Sequence, residues 1–410
     1  MTKDIKHTAY VTTGILASSF FSYLLQFFLG RILRVEDYGT FNTLLSIAAI
    51  TGVPAAVLGT ALVKKVANLK ALNENEKVAA LFWNATLWAA VIGLIVFLFF
   101  YISKDSVFAF IKLDDRLLAV LFGAYLGLTF LWSIPYAYFQ GLQKYLNFSL
   151  YVSGSSFLRL ALPILFLAIG ISMSSIFLGI FFALLVSYAV SFFGLRKHVL
   201  PVQCGSSQKE LWEILKISSP ILFTNIFMML ISNNDMILVR RYFDPTQSGY
   251  YAGVVTLGKI LLFGSGAVSV VMFPRIAALK AEGKELKTTF YNFLKMQIGV
   301  VGLGAVLFSL FPRIIAVGFF GEKFLNSTQY LPLFSVFVTL YVVLNYIVMF
   351  LLATDKFNVQ YLLVPFVIMQ YMAISNFHAS LYQIIFVNIL VLFLACVAVF
   401  SNAVFAVKRQ

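Results

Sequence analysis

Charged residues are scarce in this chain of 410 residues: they make up 11% of it, whereas soluble domains carry about 25%. Hydrophobic residues account for 61%, and the mean hydropathy is +0.93. This composition excludes a soluble enzyme and a disordered chain. It indicates a protein that crosses a membrane several times.

The residue patterns of enzymes, metal sites and ATP-driven pumps are also missing. Cys204 and Cys396 lie far apart and form no CxxC pair, and His7, His198 and His378 show no metal-ligand spacing. No Walker A sequence is present, so the chain does not encode its own ATP drive. The net charge of +14 comes from basic residues scattered in short loops, which do not form a nucleic-acid-binding face. We therefore expect a non-enzymatic protein without metal, cofactor or nucleic-acid partner.

Long apolar runs are what the sequence does contain. Each is close to the ~20 residues that a transmembrane helix needs, and in lipid a helix satisfies its own backbone hydrogen bonds. The sequence therefore predicts an all-α integral membrane protein with about 12 transmembrane helices. The runs lie near residues 9–29, 40–63, 79–102, 118–139, 149–170, 173–195, 217–239, 250–273, 288–311, 329–353, 359–375 and 379–406. Prolines inside them, which predict kinks, are Pro54, Pro135, Pro163 and Pro365.

A polar segment divides the runs into two groups of six. We predict an N-terminal lobe over residues 1–195, a cytoplasmic linker over 196–216 and a C-terminal lobe over 217–410. Within the linker, QKELWEILK (208–216) has apolar residues on one side and charges on the other, which is typical of a short helix on the membrane surface. A solvated linker turn is the alternative.

The two groups of six share a weak internal repeat with a shift of 210 residues. RILRVEDYGTF (31–41) aligns with RYFDPTQSGYY (241–251), and KKVA (64–67) falls on PRIA (274–277). An even number of spans per half gives both halves the same orientation, related by a pseudo-twofold axis along the membrane normal, with a site between the halves. Chance similarity of two basic membrane turns is the alternative.

The distribution of lysine and arginine predicts the orientation. With the N-terminus inside, the inner segments carry 18 of these residues and the outer segments carry 9. Because basic residues favour the cytoplasmic side, we expect both termini in the cytoplasm and the protein in the cytoplasmic membrane.

Three cations fall inside the apolar runs and are the candidates for a substrate cavity. Arg159 lies about ten residues into the fifth run, or about 15 Å, near the midplane, one turn before Pro163. Lys259 is equally deep in the eighth run. A charge at this depth costs at least about 2.5–3.5 kcal/mol, so it faces a cavity or a partner. Lys295 is only two turns from the inner end of the ninth run and could instead snorkel to the interface.

Asp235 lies near the outer end of the seventh run. It is either half of a structural pair, with Lys259 or with Arg240, or an ion-coupling site for a proton or cation. Basic residues also stand at the outer ends of the first and seventh runs, where interfacial anchoring is the default and an outer gate is the alternative. They are Arg31, Arg34, Arg240 and Arg241.

Several motifs resemble one family. GRILRVEDYGTF (30–41) resembles the R-x-L-x-x-x-D-[YF]-G signature of Wzx-type oligosaccharide flippases, and the segment 218–260, with Asp235 and a G-x-Y, is similar to the start of their second half. FPRIAAL (273–279) and YFQGLQKY (138–145) resemble the family at two inner turns, whereas residues 359–406 match no motif.

This resemblance implies the fold of the multidrug/oligosaccharidyl-lipid/polysaccharide exporter superfamily, as in MATE and MurJ proteins, with two six-helix lobes around a cationic cavity. It implies transport of a polyprenyl-diphosphate-linked glycan from the inner to the outer leaflet, for cell-surface polysaccharide synthesis. By position, Arg159 and Lys259 correspond to cavity cations. The implied partners are the lipid-linked glycan, membrane lipids and other polysaccharide-assembly membrane proteins.

Two rival functions remain open at this point. A multidrug or organic-cation antiporter of the same fold should place acidic residues among the first six spans, and no Asp or Glu falls there. A membrane glycan polymerase needs a large outer loop, and the longest outer loops, 103–117 and 312–328, have 15 and 17 residues. Because the charges inside the membrane are mainly basic, an anionic substrate is favoured over an organic cation.

Overall fold

The fold was described from a computed structural model, which covers residues 3–170, 172–200 and 208–408. In this part of the chain the secondary structure is helical throughout, without a β-strand. The helices are α1 (Lys3–Ile32), α2 (Val35–Thr51), α3 (Val53–Ala71), α4 (Asn75–Ile102), α5 (Lys104–Phe110), α6 (Arg116–Gly141), α7 (Tyr145–Ile169), α8 (Met173–Val199), α9 (Gln208–Tyr242), α10 (Pro245–Ala281), α11 (Lys287–Leu310), α12 (Pro312–Phe320), a 3₁₀ helix (Glu322–Tyr330), α13 (Leu331–Ala353), α14 (Val359–Asn376) and α15 (Leu381–Lys408).

The number of membrane-spanning helices agrees with the predicted number. Among the described residues, 11 helical segments are long and apolar enough to cross a membrane, and the bent pair α2–α3 makes a twelfth. The predicted all-α membrane fold with about 12 spans is therefore confirmed.

The second span is broken, although the sequence predicted one run over 40–63. Helix α2 ends and α3 begins on either side of Gly52, with a bend of 43° between them. Pro54 lies in the first turn of α3 and has no N–H, so the Ile50 carbonyl cannot accept the usual i+4 hydrogen bond. The other predicted kink positions, Pro135, Pro163 and Pro365, lie within the continuous helices α6, α7 and α14.

The chain forms two compact units. Unit 1 contains Met1–Phe28 and Thr51–Ser219, and unit 2 contains Leu29–Ile50 and Pro220–Gln410. Residues 201–207 of the predicted linker lie outside the described part, and residues 208–216 are helical as the beginning of α9. The lobe boundaries and the surface position of 208–216 stay predictions.

The internal packing of the two units follows one plan. In unit 1, α6 packs against α3, α4 and α8, and α7 packs against α8. In unit 2, α13 packs against α10, α11 and α15, and α14 packs against α15. The same order of helices makes the same neighbours in each unit, which confirms the predicted repeat.

Helix ends repeat as closely as helix packing does. Asn73 after α3 and Gly283 after α10 are 210 residues apart, and both adopt a left-handed backbone, with φ of 59° and 66°. Gln143 after α6 and Asp355 after α13, which are 212 residues apart, form a second left-handed pair, with φ of 56° and 58°. A residue in this conformation ends a helix by letting the next amides bond to its last carbonyls.

A lysine joins neighbouring helix ends in each unit. In unit 1, Lys70 Nζ donates to the Leu142 carbonyl at 2.6 Å. In unit 2, Lys280 Nζ donates to the Thr354 carbonyl at 2.7 Å. A cation at a helix C-terminus complements the helix dipole and one of its free carbonyls. Lys70 and Lys280, which are 210 residues apart in the sequence, therefore make equivalent helix-end contacts in the two units.

Repeat-equivalent residues of α2 and α10 contact each other within unit 2. A Cβ atom on Gly39 would lie 2.8 Å from the Gly249 backbone nitrogen, so the two helices cross without room for a side chain. Beside them, Thr246 Oγ1 donates to Glu36 Oε1 at 2.7 Å. Both pairs are 210 residues apart, so equivalent residues of the internal repeat are in direct contact within unit 2.

Candidate functional site

Arg159 lies on α7 among polar and aromatic side chains of unit 1. Its Nη2 donates to Ser156 Oγ at 3.1 Å, and this hydroxyl lies 2.6 Å from Ser18 Oγ on α1. The guanidinium carbon lies 5.4 Å from the centre of the Trp132 ring, in cation–π geometry. The serine pair and the indole ring therefore hold the guanidinium in place.

Two donors in this cluster lack an acceptor among the described residues. Arg159 Nε and Trp132 Nε1 are both buried atoms without a hydrogen-bond partner there. None of the ion pairs in that part of the chain involves Arg159. Buried donors are normally paired, and an unpaired one costs about 1–3 kcal/mol. The cluster therefore contains two buried N–H groups with hydrogen-bonding capacity that the described residues do not use.

Aromatic rings extend this cluster along α6. Tyr151 stacks on Trp132 with ring centres 5.4 Å apart and donates its hydroxyl to the Trp132 carbonyl at 2.9 Å. Tyr136, one turn from Trp132, packs with its ring centre 5.6 Å from that of Trp132, and Tyr125 is close enough to Arg159 to interact with it electrostatically. Trp132, Tyr136 and Tyr125 are only partly buried, so they leave part of their surface open. The sequence did not reveal this aromatic group, because its members come from α6 and α7.

Asp235 on α9 lies in a second polar cluster, within unit 2. Its side chain is 1% exposed, and Tyr251 Oη on α10 donates to Oδ2 at 2.6 Å. The Met236 amide donates to Oδ1 at 2.8 Å. Lys259 Nζ donates to Asn233 Oδ1 at 3.5 Å and is in electrostatic contact with Asp235. Tyr251 is therefore the hydrogen-bond partner of Asp235, whereas Lys259 interacts with Asp235 only electrostatically, without a direct hydrogen bond.

The Asp235 cluster continues into the last two helices. Gln370 Nε2 on α14 donates to Asn388 Oδ1 on α15 and to the Ile231 carbonyl of α9, each at 2.9 Å. Asn388 lies close to Tyr251, but its Nδ2 has no hydrogen-bond partner among the described residues. Hydrogen bonds of Gln370 thus join α9, α14 and α15. Sequence reasoning missed Gln370 and Asn388, although each is an uncharged polar residue within a long apolar run, which was the available signal.

The internal repeat shows that this network is special to the second half. The residues 210 positions before Asp235 and Tyr251 are Leu25 and Phe41. The first half therefore has apolar side chains at both equivalent positions. The fold does not need an acid and its phenol partner at this location.

The predicted cavity cations Arg159 and Lys259 lie in separate compact units, Arg159 in unit 1 and Lys259 in unit 2. A cavity that they share stays a prediction. A cavity of about 20 Å³, enough for one water molecule, borders Lys259, Ser232 and Tyr341. Lys295 is exposed on α11.

Arg31 joins α1 to α12 inside unit 2. Its Nη2 donates to the Gly318 carbonyl at 2.6 Å and its Nε to the Phe319 carbonyl at 3.2 Å. In return, Lys323 Nζ donates to the carbonyls of Arg31, at 2.8 Å, and Leu33. Arg31 therefore caps the C-terminal end of α12, which precedes Lys323 in the chain. Lys323 in turn caps the C-terminal end of α1, which carries Arg31.

The remaining outer arginines have different surroundings. Arg34 is exposed and pairs with Asp37 at 2.9 Å, and this hydrogen bond together with the carboxylate charge raises the pKa of Arg34. Arg240 is buried and in electrostatic contact with Asp37, whereas Arg241 is exposed. An outer gate that includes all four arginines stays a prediction.

Solved structures of membrane transporters share this fold. A multidrug resistance MATE family transporter of the MOP superfamily, in an inward-facing conformation, superimposes with a TM-score of 0.79 at 13% identity, over 96% of each chain. The lipid II flippase MurJ, in an inward closed conformation, gives 0.72 at 14% identity, over 95% of this chain and 87% of its own. The eukaryotic MATE transporter AtDTX14 gives 0.68 at 13% identity, over 99% of each. The protein therefore has the MATE/MurJ-like fold.

Sequence comparison also identifies the family to which the chain belongs. The model of the family described as polysaccharide biosynthesis protein matches residues 5–280, which is more than half of the chain. The chain belongs to this family, and the resemblance to Wzx-like flippases of the MOP superfamily is confirmed. No curated protein sequence matches the chain.

Proposed function

We propose that this protein is a flippase, which moves a polyprenyl-diphosphate-linked oligosaccharide from the inner to the outer leaflet by alternating access. The observation that carries this proposal is the pair of buried, unpaired donors, Arg159 Nε and Trp132 Nε1, in a cluster without a carboxylate among the described residues. A diphosphate supplies both the negative charge and the acceptor oxygens that these donors lack.

Each part of the substrate has a counterpart in this proposal. The planar guanidinium of Arg159 is suited to bidentate contact with a phosphate, and its Ser156 hydrogen bond fixes its direction. The partly open rings of Trp132, Tyr136 and Tyr125 offer flat apolar faces to sugar rings. Lys259, and Lys295 if the substrate passes it, act as further point charges for the diphosphate. The polyprenyl tail stays in lipid.

Organic-cation antiport is the weaker alternative. Such a substrate needs a carboxylate that is free to bind it. Asp235 is the acid buried within the described spans, and both of its oxygens already accept hydrogen bonds, from Tyr251 and from the Met236 amide. We propose instead that Asp235 couples transport to an ion gradient. A glycan polymerase remains the least supported alternative, because the outer loops are short.

The proposed function also predicts the membrane in which the protein lies. A lipid-linked glycan made at the cytoplasmic surface requires a protein of the cytoplasmic membrane, and the excess of basic residues on one side supports a cytoplasmic position for both termini. Other membrane proteins of polysaccharide assembly are the proposed partners that consume the flipped glycan.

The lipid that accompanies the purified protein tests the proposal. Native mass spectrometry would compare the parent with Arg159→Ala and with Arg313→Ala, which removes an exposed arginine from α12. We expect a polyprenyl-diphosphate glycan on the parent and on Arg313→Ala, and its loss from Arg159→Ala. Equal retention by all three proteins would remove Arg159 from the site, and bulk phospholipid alone on the parent would contradict the substrate class.

A further inference from the structure

A cluster of cations at one end of unit 1 is used by neither of the two polar networks described above. Lys70 lies in the last turn of α3, Lys144 lies between α6 and α7, and Lys197 and His198 belong to the last turn of α8. Lys70 and Lys197 both act electrostatically on Lys144, and His198 is in electrostatic contact with all three lysines. We call these four residues the basic end of unit 1.

Lys70 and Lys144 of the basic end are held by backbone carbonyls rather than by carboxylates. Lys70 Nζ donates to the Leu142 carbonyl, and Lys144 Nζ donates to the Gly194 carbonyl at 3.2 Å. Ion pairs in the described part of the chain include none of the four residues. Burial, followed by repulsion from Lys70 and Lys197, lowers the pKa of Lys144. Each ammonium group has three N–H donors, so donors remain available for another acceptor.

The equivalent end of unit 2 shows what is missing in unit 1. Lys280, the repeat counterpart of Lys70, makes the same helix-end contact but also pairs with Asp355 Oδ2 at 2.8 Å. Asp355 occupies the left-handed position after α13, and the residue in this position after α6 is Gln143. The fold therefore accommodates a counterion at this position, and unit 1 does not have one.

Exposed apolar side chains accompany the cations of the basic end. Phe193 precedes Lys197 by one helical turn and is 71% exposed, and Leu146 follows Lys144 and is 49% exposed. Leu72 and Leu200, next to Lys70 and His198 in sequence, are also exposed. Uncompensated cations beside exposed apolar groups match an amphiphile with an anionic head, whereas a soluble anion would make no contact with the apolar groups.

We propose that the basic end of unit 1 binds the phosphate headgroup of an anionic membrane lipid, with the acyl chains against Phe193 and Leu146. The lysines provide the donors and the charge, and His198 adds a further ring N–H. This site goes beyond the proposed flippase function, because it lies in a different residue cluster from Arg159 and requires only a bilayer with anionic lipid.

Phospholipid binding to the full-length protein tests this proposal. The protein in neutral detergent would be titrated with dioleoyl phosphatidylglycerol or dioleoyl phosphatidylcholine, and bound lipid would be counted by native mass spectrometry. We expect the parent to prefer phosphatidylglycerol and Lys144→Gln to lose about fivefold in affinity for it, which corresponds to ~1 kcal/mol per basic residue at an anionic surface.

Two further variants make the test specific. Gln143→Asp introduces the counterion that unit 2 has at Asp355, in a backbone conformation that aspartate adopts readily, and should weaken phosphatidylglycerol binding as Lys144→Gln does. Lys284→Gln removes an exposed lysine that pairs with Glu282 in unit 2 and should leave binding unchanged. Equal headgroup preference in all four proteins would overturn the proposal.

Inorganic pyrophosphate distinguishes a lipid from a soluble anion. Added in excess, it should displace phosphatidylglycerol only weakly, because it gains nothing from Phe193 and Leu146. Tight pyrophosphate binding without a preference for phosphatidylglycerol would overturn the assignment to a lipid. Neither result depends on the glycan lipid retained by Arg159, so the two proposals fail independently.

Discussion

Tyr251 donates its phenol hydrogen to the carboxylate of Asp235 across a distance of 2.6 Å, and both side chains are almost completely buried. The first half of the internal repeat has Phe41 and Leu25 at these positions. Because the first half folds with apolar residues at these positions, the fold of the second half does not require the Tyr251–Asp235 pair. Buried acids within membrane spans are expensive to maintain, which favours a role in ion coupling over a role in packing alone.

Replacing Asp235 should uncouple transport from the ion gradient. In Asp235→Asn the Tyr251 hydrogen bond persists, but the side chain no longer gains or loses a charge. We expect the rate of glycan-lipid transport in proteoliposomes to stop responding to an imposed proton or sodium gradient. A gradient response equal to that of the parent would assign Asp235 to structure only.

The phenol of Tyr251 should contribute measurably to stability. Tyr251→Phe leaves one oxygen of a buried carboxylate without its donor, which costs about 1–3 kcal/mol. Thermal unfolding in detergent should show a lower midpoint than for the parent. Tyr361→Phe, at an exposed position on α14, is the matched control and should leave the midpoint unchanged.

The geometry of Arg159 should matter as well as its charge. Arg159→Lys keeps the charge but loses the planar fork, so we expect transport to fall partially, whereas Arg159→Gln should reduce it by about tenfold or more through the loss of a charge-assisted contact. A flipping assay with a polyprenyl-diphosphate disaccharide measures both. Full activity of the glutamine variant, with Arg313→Gln as the control, would contradict the proposed site.

The crossing of α2 and α10 should tolerate no side chain. A Cβ atom on Gly249 would overlap the Val35 carbonyl, so Gly249→Ala should destabilise the protein by roughly 1–3 kcal/mol. Gly299→Ala on α11 meets nothing within 4 Å and should be neutral or slightly stabilising, because alanine favours the helix. Thermal unfolding compares them, and equal midpoints would contradict the tight crossing.

Cysteine labelling tests the predicted membrane orientation, in which both termini are cytoplasmic. Cys204 and Cys396 would first be replaced, and single cysteines would then be introduced at Lys112, Asn73 and Asp355. An impermeant thiol reagent applied to intact cells should label position 112, between α5 and α6, and leave positions 73 and 355 unlabelled until the cells are opened. The reverse pattern would place both termini outside.

The sequence by itself was enough to predict the class of protein, the helical spans and the repeat. These properties are local or additive: apolar length sets a span, lysine and arginine counts predict an orientation, and equal shifts bring Gly39 onto Gly249. The depth of Arg159 in its span was also predictable, because it is a count of residues along one helix.

Only the tertiary structure identified the partners of these residues. The phenol of Tyr251 on Asp235, the indole of Trp132 under Arg159 and the amide of Gln370 on Asn388 join different helices, and their contacts depend on how those helices pack. The break at Gly52 and the missing counterion at Gln143 likewise became visible only when equivalent helix ends were compared in three dimensions. Composition and periodicity constrain each helix separately, whereas a binding site is formed by side chains that distant parts of the chain bring together.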